Sequence, residues 1–360
     1  MSAVPTDLPE TPPATPAAAY SIPRLREVLS AYYRRSTALA FVLLVADIAL
    51  FGVAEWLVAR SGSLALQLLG GVLATTAIVR LFIIGHDACH GSLTDHDLLN
   101  KILGWIAFLP SLTPYSLWRV GHNVVHHGFN NLKGRDFVWE PLDPSEFAAL
   151  SPARRLLERV YRSAFGPLPY YLIEIWWKKL YFPGKAHAPG KRAEFKWDST
   201  LVTVFAALWV AGLAIYSPAG IGATTLAIIV GFVAPFLVWT WTIGFVVYLH
   251  HTHPDVVWYA DKSSWLKAQG ILHGTVRYKI RPYWNILLHN IMEHAAHHLD
   301  ARIPLYRLKA AQAELARLVP DIPVIELSMR TYWRTVRECK LFDFERRVWV
   351  TFQAASRGRA

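Results

Sequence analysis

A chain of 360 residues with a net charge of +11 is long enough to bury a large core and basic enough to suggest an anionic partner. Hydrophobic residues make up 53% of it, charged residues only 18%, and the mean hydropathy is positive, which favours an integral membrane protein over a soluble nucleic-acid-binding protein. Two cysteines, Cys89 and Cys339, are too few for a disulfide framework. We therefore expect the Lys and Arg residues to face an anionic membrane surface, with no nucleic-acid partner.

The first segment, residues 1–22, is rich in Pro, Ala, Thr and Ser and carries too little apolar surface to offset the entropy of ordering. We expect it to be disordered, and it lacks the positive start and apolar stretch of a signal peptide. Residues 23–310 are expected to form a membrane domain with a cytoplasmic cap. Residues 311–360 are expected to form a C-terminal cytoplasmic tail that belongs to that cap.

Four apolar segments are long enough, or nearly so, to cross roughly 30 Å of hydrocarbon as helices. They are residues 37–59, 64–84, 199–216 and 221–249. The connections Arg60-Ser61-Gly62-Ser63 and Ser217-Pro218-Ala219-Gly220 are short, which predicts two membrane hairpins. Because Lys and Arg mark cytoplasmic loops, we place the N-terminus, the central region and the C-terminal region on the cytoplasmic face.

Other apolar features are not predicted to span. Residues 98–113 are too short, and residues 164–184, aromatic on one side and basic on the other, predict an interfacial helix. Residues 303–318 have helical apolar spacing. Asp47 lies in the middle of the first apolar segment, where it either hydrogen-bonds a neighbouring helix or lines a substrate path.

Eight histidines lie in three short boxes beside apolar runs, where ionisable residues are costly unless they have a function. The boxes contain His86 and His90; His122, His126 and His127; and His294, His297 and His298. So many clustered imidazoles predict a metal site rather than packing residues.

Residues three or four apart share one face of an α-helix. This spacing pairs His86 with His90 and His122 with His126, and it lets all three histidines of the last box point the same way. His127 lies about 100° around the helix from His126. We therefore expect His127 to reach a different metal ion, or a different side of a two-metal site.

Imidazole suits Zn, Cu, Fe and Ni, whereas Ca and Mg prefer oxygen ligands. A structural zinc site has four ligands and usually includes thiolates, and eight imidazoles are too many for one ion. The zinc-protease pattern His-Glu-x-x-His is absent, because Glu293 directly precedes His294 and has no histidine at the required spacing around it. Two ions with about four ligands each fit the count.

The boxes, their order and the two predicted hairpins resemble the membrane fatty acid desaturases. The resemblance covers about residues 35–310, and it includes Trp118-Arg119 before the second box, Asn131 to Asp136 after it, and Ile303-Pro304-Leu305-Tyr306 after the third. It is nearest to the acyl-lipid type that acts mid-chain, at Δ12 or ω-type positions. The implied fold is an all-α integral membrane protein with four transmembrane helices in two hairpins and a helical cytoplasmic cap that carries a histidine-rich di-iron site.

The implied reaction inserts a cis double bond into an acyl-lipid or fatty acyl substrate, using dioxygen, which is reduced to water, and two external electrons. The resemblance assigns two iron ions (Fe²⁺) to the eight box histidines and to one more histidine near the end of the fourth apolar segment. We favour His251 over His253 for that position. No electron-donor domain is visible in this sequence, so we expect a separate ferredoxin or b-type cytochrome to dock on the cytoplasmic face.

Further expectations concern neighbouring residues. Trp118 is expected to line the acyl channel, and nearby polar side chains are expected to accept a ring N–H and so orient the ligands. These polar residues are Asp87, Asn123, Asp136, Glu293 and Asp300. The histidines outside the boxes, His96, His187, His273 and His289, are expected to lie at the surface or to pack beside the site.

Other functions use the same residue types. A di-iron hydroxylase or ketolase of lipid-like substrates shares the first hydrogen abstraction with a desaturase, so the histidines do not separate these enzymes. A non-catalytic membrane metal or haem electron carrier needs axial histidines near mid-membrane, whereas these clusters lie at a predicted membrane edge. A transporter places ionisable groups at the midplane, where only Asp47 is predicted to lie.

Overall fold

The computed structural model describes residues 21–184, 193–320 and 322–357. The disorder predicted for residues 1–22 therefore lies outside the described residues, apart from Ser21 and Ile22, as does the expectation for His187. The division into three regions stays a prediction. The predicted helical fold is confirmed in its main feature, because most of the described chain is helical.

Within the described residues, four helices are long and apolar enough to cross a membrane, and each contains one of the four predicted segments. We refer to them as the first to fourth apolar helices, namely Thr37–Arg60, Leu64–His90, Ala193–Tyr216 and Ile221–His251. The second continues past the predicted end at residue 84 and therefore carries the first histidine box inside its last turns. It ends at Gly91, whose φ of 69° is the left-handed conformation that glycine adopts at no steric cost.

The second apolar helix is the most buried of the four and packs against the first and the fourth. A Cβ atom at Gly70 would lie 2.8 Å from the Ala54 carbonyl oxygen of the first helix, and one at Gly71 would lie 2.8 Å from the Val230 oxygen of the fourth. These glycines allow close backbone approach. The arrangement of the four helices as two membrane hairpins stays a prediction.

Shorter elements make up the rest of the described chain. The remaining α-helices are Ile22–Leu29, Asp97–Phe108, Tyr115–Arg119, His127–Phe129, Pro144–Ala149, Pro152–Tyr161, Pro167–Tyr170, Lys262–Lys267, Gly270–His273, Pro282–Leu287, His294–Leu299, Leu308–Leu318, Met329–Glu338 and Phe352–Arg357. Ser30–Tyr32 is a 3₁₀ turn, and three segments are π-helical, Val120–His126, Tyr171–Tyr181 and, within the fourth apolar helix, Ile229–Val233.

Two small sheets were not expected from the sequence. Strands β1 (Arg277–Lys279) and β2 (Val324–Glu326) pair in parallel, and β3 (Leu341–Asp343) and β4 (Val348–Val350) pair antiparallel. The first sheet ties the chain after the fourth apolar helix to the C-terminal region.

Neither of the two shorter apolar stretches is long enough to span. Residues 164–184 form Pro167–Tyr170 and the π-helical Tyr171–Tyr181, and this segment packs against the fourth apolar helix. The approach is close, since a Cβ at Gly244 would lie 2.4 Å from the Pro167 oxygen. The segment therefore forms part of the protein core on one side, which the interfacial prediction did not include.

The helix predicted over residues 303–318 begins only at Leu308. Pro304 lacks a backbone N–H, and the N–H of Leu305 donates to the Asp87 carboxylate at 2.5 Å. This bond holds the chain after the third box against the first box.

Candidate metal centre

Among the described residues, nine histidines from distant parts of the chain converge in two adjoining groups. Within each group, one ring nitrogen of every member lies within 4.8 Å of those of the others. The five-histidine group contains His86, His90, His122, His127 and His297, and the four-histidine group contains His126, His251, His294 and His298. These nine residues are the same nine that the sequence singled out.

The second box does not follow α-helical spacing. Val120–His126 is π-helical, and the N–H of His127 donates to the carbonyl of His122, a five-residue step. This geometry places His122 and His127 together, with their Nε2 atoms 3.1 Å apart, and turns His126 towards the other group. The predicted pairing of His122 with His126 was therefore wrong, whereas His126 and His127 do lie in different groups as expected.

The third box lies between the two groups. The Nε2 atoms of His294 and His298 approach to 3.1 Å in the four-histidine group, while His297 belongs to the five-histidine group. The expectation that all three point the same way was wrong, because the short helix His294–Leu299 presents different faces to the two groups.

Two apolar helices supply the remaining rings from their ends. His86 and His90 stand one turn apart near the end of the second, with ring centroids separated by 4.7 Å. His251 is the last residue of the fourth, and its Nε2 lies 3.2 Å from Nε2 of His294. His253 lies outside both groups, and its Nδ1 accepts the N–H of Asp255.

Five rings outside the apolar helices have a lowered pKa, which favours the neutral form. Burial is the largest cause of the lowered pKa values, and neighbouring imidazoles lower them further. The pKa lies well below its usual range in His122, His127, His294, His297 and His298. Neutral imidazole is the form that binds a metal ion.

Several of these ring nitrogens are buried without a hydrogen-bond partner among the described residues. They are Nε2 of His90, both nitrogens of His297, and Nδ1 of His294 and His298. Buried polar atoms normally have a hydrogen-bond partner, so these unpaired nitrogens indicate a site for a ligand or a water molecule. Because every donor in both groups is an imidazole, the set fits a transition metal and does not suit Ca or Mg.

Hydrogen bonds from Nδ1 fix the orientation of some rings. Nδ1 of His126 donates to Asp136 at 3.0 Å, and Nδ1 of His251 donates to the Gly274 carbonyl at 3.1 Å. Asp87 lies 3.4 Å from Nδ1 of His86. Asp136 and Asp87 therefore take the predicted positions beside ligand candidates.

The other three expected partners have different contacts. Asn123 donates to the Cys89 carbonyl, Glu293 accepts from Asn285, and Asp300 pairs with Arg302. Their side chains fix the backbone around the boxes and have no described hydrogen bond to a ring of either group.

An apolar cavity leads to the histidines. It encloses about 780 Å³ of space including its open mouth, and its wall is mostly apolar. Trp118 lies in its wall as expected and stacks on His122 at a ring-centroid distance of 4.0 Å. The wall comprises Phe82, Ile83, His86, Trp118, Gly121, His122, His126, Phe137, Val138, Trp139, Tyr171, Ile175, Leu180, Ile243, Val246, Val247, Ile291 and His294.

Two contacts beside the site were not expected from the sequence. His250 stacks on His294 at 4.2 Å, and its Nδ1 donates to the Val246 carbonyl. Asp47 accepts from Arg80 of the second apolar helix, which confirms the expected bond to a neighbouring helix, and it also accepts from His289. No local spacing rule indicates this second contact, since it joins residues 242 positions apart.

Comparison with known proteins gives one family match, to the fatty acid desaturase model, over residues 62–330. An omega-6 fatty acid desaturase from chloroplasts of Arabidopsis thaliana is 32% identical over 67% of this chain and 51% of its own length. An sn-1 oleoyl-lipid 12-desaturase of Synechocystis is 31% identical over 67% of this chain and 65% of its own, and one of Picosynechococcus is 28% identical over 76% of both. The chain thus spans about half the length of the chloroplast relatives it matches.

Proposed function

Because the chain belongs to the fatty acid desaturase family, we propose that it is a membrane-bound acyl-lipid desaturase that inserts a cis double bond into an acyl chain. The observation that carries the proposal is the apolar cavity that ends on rings of both histidine groups, His86 and His122 from one and His126 and His294 from the other. An acyl chain has no polar handle at its middle carbons. A cavity of this kind selects such a chain by shape and by the exclusion of water.

The proposed cofactors are two iron ions, one for each histidine group. The ligands are then the eight box histidines and His251. When bound, iron would supply an oxidant from dioxygen and two external electrons that is strong enough to remove two hydrogens from unactivated C–H bonds, with reduction of dioxygen to water.

The protein's own contribution is to hold rings and substrate in place. Burial lowers the pKa of His122 and so favours its neutral ring, and Asp136 fixes the ring orientation of His126. Trp118 stacks on His122 and packs edge-on against His86, so its indole holds both rings in place beside the cavity.

The names of the relatives support a finer substrate assignment. They are described as omega-6 and sn-1 oleoyl-lipid 12-desaturases. We propose a glycerolipid-linked monounsaturated acyl chain as substrate, with the new double bond at a Δ12 or ω-type position. The cytoplasmic placement of the site belongs to the same proposal.

The electrons are proposed to come from a separate acidic protein, a ferredoxin or a b-type cytochrome. A basic, aromatic surface lies next to the second box, since Phe129 follows His127 by two residues. Arg135 and Lys262 lie 5.6 and 5.9 Å from the Phe129 ring, and Arg347 lies 6.0 Å from the ring of Tyr259. All three cations are exposed, so they complement an acidic partner.

Charge reversal tests this surface. Lys262→Glu and Arg347→Glu together should raise the KM for an acidic donor by about tenfold and weaken its salt dependence, because rim charges act mainly on association. Arg317→Glu, an exposed charge on the helix Leu308–Leu318, is the matched control and should leave the KM unchanged. Equal effects of both changes would contradict the assigned surface.

The function is tested by expression in a host with simple lipids, followed by gas chromatography–mass spectrometry of derivatised fatty acids. A new cis double bond at one position supports the proposal, and its location fixes the regiochemistry. A hydroxylated or keto product would instead assign the chain to the related oxygenases. An iron-loaded protein that yields no product with a reducing donor would overturn the enzymatic proposal in favour of a metal or electron carrier.

A further inference from the structure

A buried carboxylate in the first apolar helix makes two directed contacts. One oxygen of Asp47 accepts from Nε of Arg80 at 2.6 Å, and the other accepts from Nε2 of His289 at 2.8 Å. Asp47 is 2% exposed and His289 is 5% exposed. A carboxylate at this depth is tolerated only when it is paired, and here both of its oxygens are used.

The contacts of Asp47 fix a loop that leads into the third histidine box. Arg80 also donates from Nη1 to the Ile286 carbonyl at 2.7 Å, in the helix Pro282–Leu287 just before the loop, so the ion pair holds both the loop and the helix that leads into it. At the tip of the loop, His289 and Asn290 have φ values of 45° and 61°. Two successive non-glycine residues in the left-handed region are uncommon and persist only where the surroundings impose them.

The next residues along the chain belong to the site. Ile291, two positions after His289, lies in the cavity wall, and His294 lies in both the wall and the four-histidine group. Asn290 is fixed on its other side, since its side-chain amide donates to the Leu305 carbonyl at 3.1 Å. The loop is therefore held at consecutive residues, immediately before it supplies one wall residue and one candidate ligand.

We propose that Asp47 is a positioning residue of the metal centre that acts through His289. By holding the left-handed turn at 289–290, it sets the depth of Ile291 in the cavity and the direction of the His294 ring. It thereby determines how firmly the four-histidine group holds its ion and which bond of the acyl chain lies beside it. The second consequence rests on the proposed desaturase function, whereas the first does not.

A merely structural ion pair would behave differently. Its loss would lower the thermal stability of metal-free and metal-loaded protein equally, with no change in metal affinity or product. A positioning role predicts a selective loss of metal affinity and a spread of double-bond positions. It also predicts rescue by a side chain that restores the hydrogen bond.

Three variants separate these roles. His289→Ala removes the donor to Asp47, and His289→Gln restores it with an amide nitrogen at a similar reach. Asp47→Leu combined with Arg80→Leu removes the acceptor without leaving a buried arginine unpaired. The control is Gln67→Leu, which removes a buried polar residue that bonds Val58 and Ser61 between the first and second apolar helices, away from the loop.

The primary measurement is anaerobic titration of the purified, metal-free full chain with Fe²⁺. We expect His289→Ala and the double variant to weaken one of the two binding events by about 10–100-fold. His289→Gln should stay within about threefold of the wild type, and Gln67→Leu should lower the melting temperature without changing either event. In cells, His289→Ala and the double variant should yield a mixture of double-bond positions.

The inference is overturned if His289→Ala and the double variant bind Fe²⁺ as tightly as Gln67→Leu does. If His289→Ala fails to accumulate, the other two variants test the inference. Wild-type affinity for Fe²⁺ in the double variant would overturn it, and so would a loss of affinity in His289→Gln. A wild-type protein that makes no double bond would defeat the proposed function alone, because the Fe²⁺ titration still tests the role of Asp47.

Discussion

The two histidine groups differ in how the protein encloses them. All members of the four-histidine group are buried, whereas His90, His122 and His127 of the five-histidine group are only partly covered. The four-histidine group also draws on the end of the fourth apolar helix through His251. One group therefore lies deep in the fold, and the other lies nearer its edge.

The groups also differ in the support behind their rings. His126 and His251 each donate to a fixed oxygen, from Asp136 and Gly274. In the five-histidine group, Asp87 faces His86 at 3.4 Å while its other oxygen accepts from Leu305, and His297 has no described hydrogen bond. Since such outer partners strengthen metal binding, we expect the four-histidine group to hold its ion more tightly.

The largest expected effect comes from removing a ring of the deep group. His126→Ala should lose product below detection and one of the two bound ions, because the four-histidine group then keeps only three rings. Metal analysis of the purified membrane-inserted protein and product analysis check this. His96→Ala, an exposed histidine outside both groups, is the matched control. A His126→Ala protein with wild-type turnover would refute the two-metal assignment.

A smaller effect is expected from the support behind that ring. Asp136→Ala should weaken the tighter binding event by about 10–100-fold, because Nδ1 of His126 loses its acceptor. The weaker event should be unchanged. Calorimetric titration of the metal-free protein measures both. If Asp136→Ala affects the weaker event instead, the assigned difference between the groups is reversed.

Metal removal tests the same difference in kinetics. A chelator should remove the ion of the five-histidine group first, since its rings are less covered, and the ion of the four-histidine group several-fold more slowly. Product formation should be lost with the first ion, because the cavity ends on both groups. Release of both ions in a single phase would show that burial does not separate the two sites.

The smallest effect is expected at His253. His253→Ala should change metal content and turnover by less than about twofold, since its ring lies outside both groups and contacts the N–H and carboxylate of Asp255. His251→Ala should behave like His126→Ala. Metal analysis of the two single variants compares them directly. A larger loss of metal in His253→Ala than in His251→Ala would make His253 the ligand instead.

Much of this arrangement was predictable from the sequence. Composition and run length located the four apolar helices, because a 20-residue apolar run has few other stable conformations. The density of histidines beside apolar runs identified eight of the nine converging rings. The position of His251 at the end of a span singled out the ninth, although His253 stayed open.

Only the tertiary structure decided how the rings are grouped. Spacing rules assume α-helical geometry, and the π-helical turn at Val120–His126 replaces a four-residue step with a five-residue one. The short helix of the third box likewise faces both groups at once, which its spacing does not indicate. Nor does local sequence carry the contact between Asp47 and His289.

The sequence by itself thus determined which residues form the long apolar helices and which histidines are candidate metal ligands, because hydrophobicity and side-chain type are properties of single residues and short runs. The division into a deep and a shallow group, the cavity that ends on both, and the fixed loop before His294 were decided by the fold. Each depends on distances between segments far apart in the chain, and those distances arise only when the helices pack.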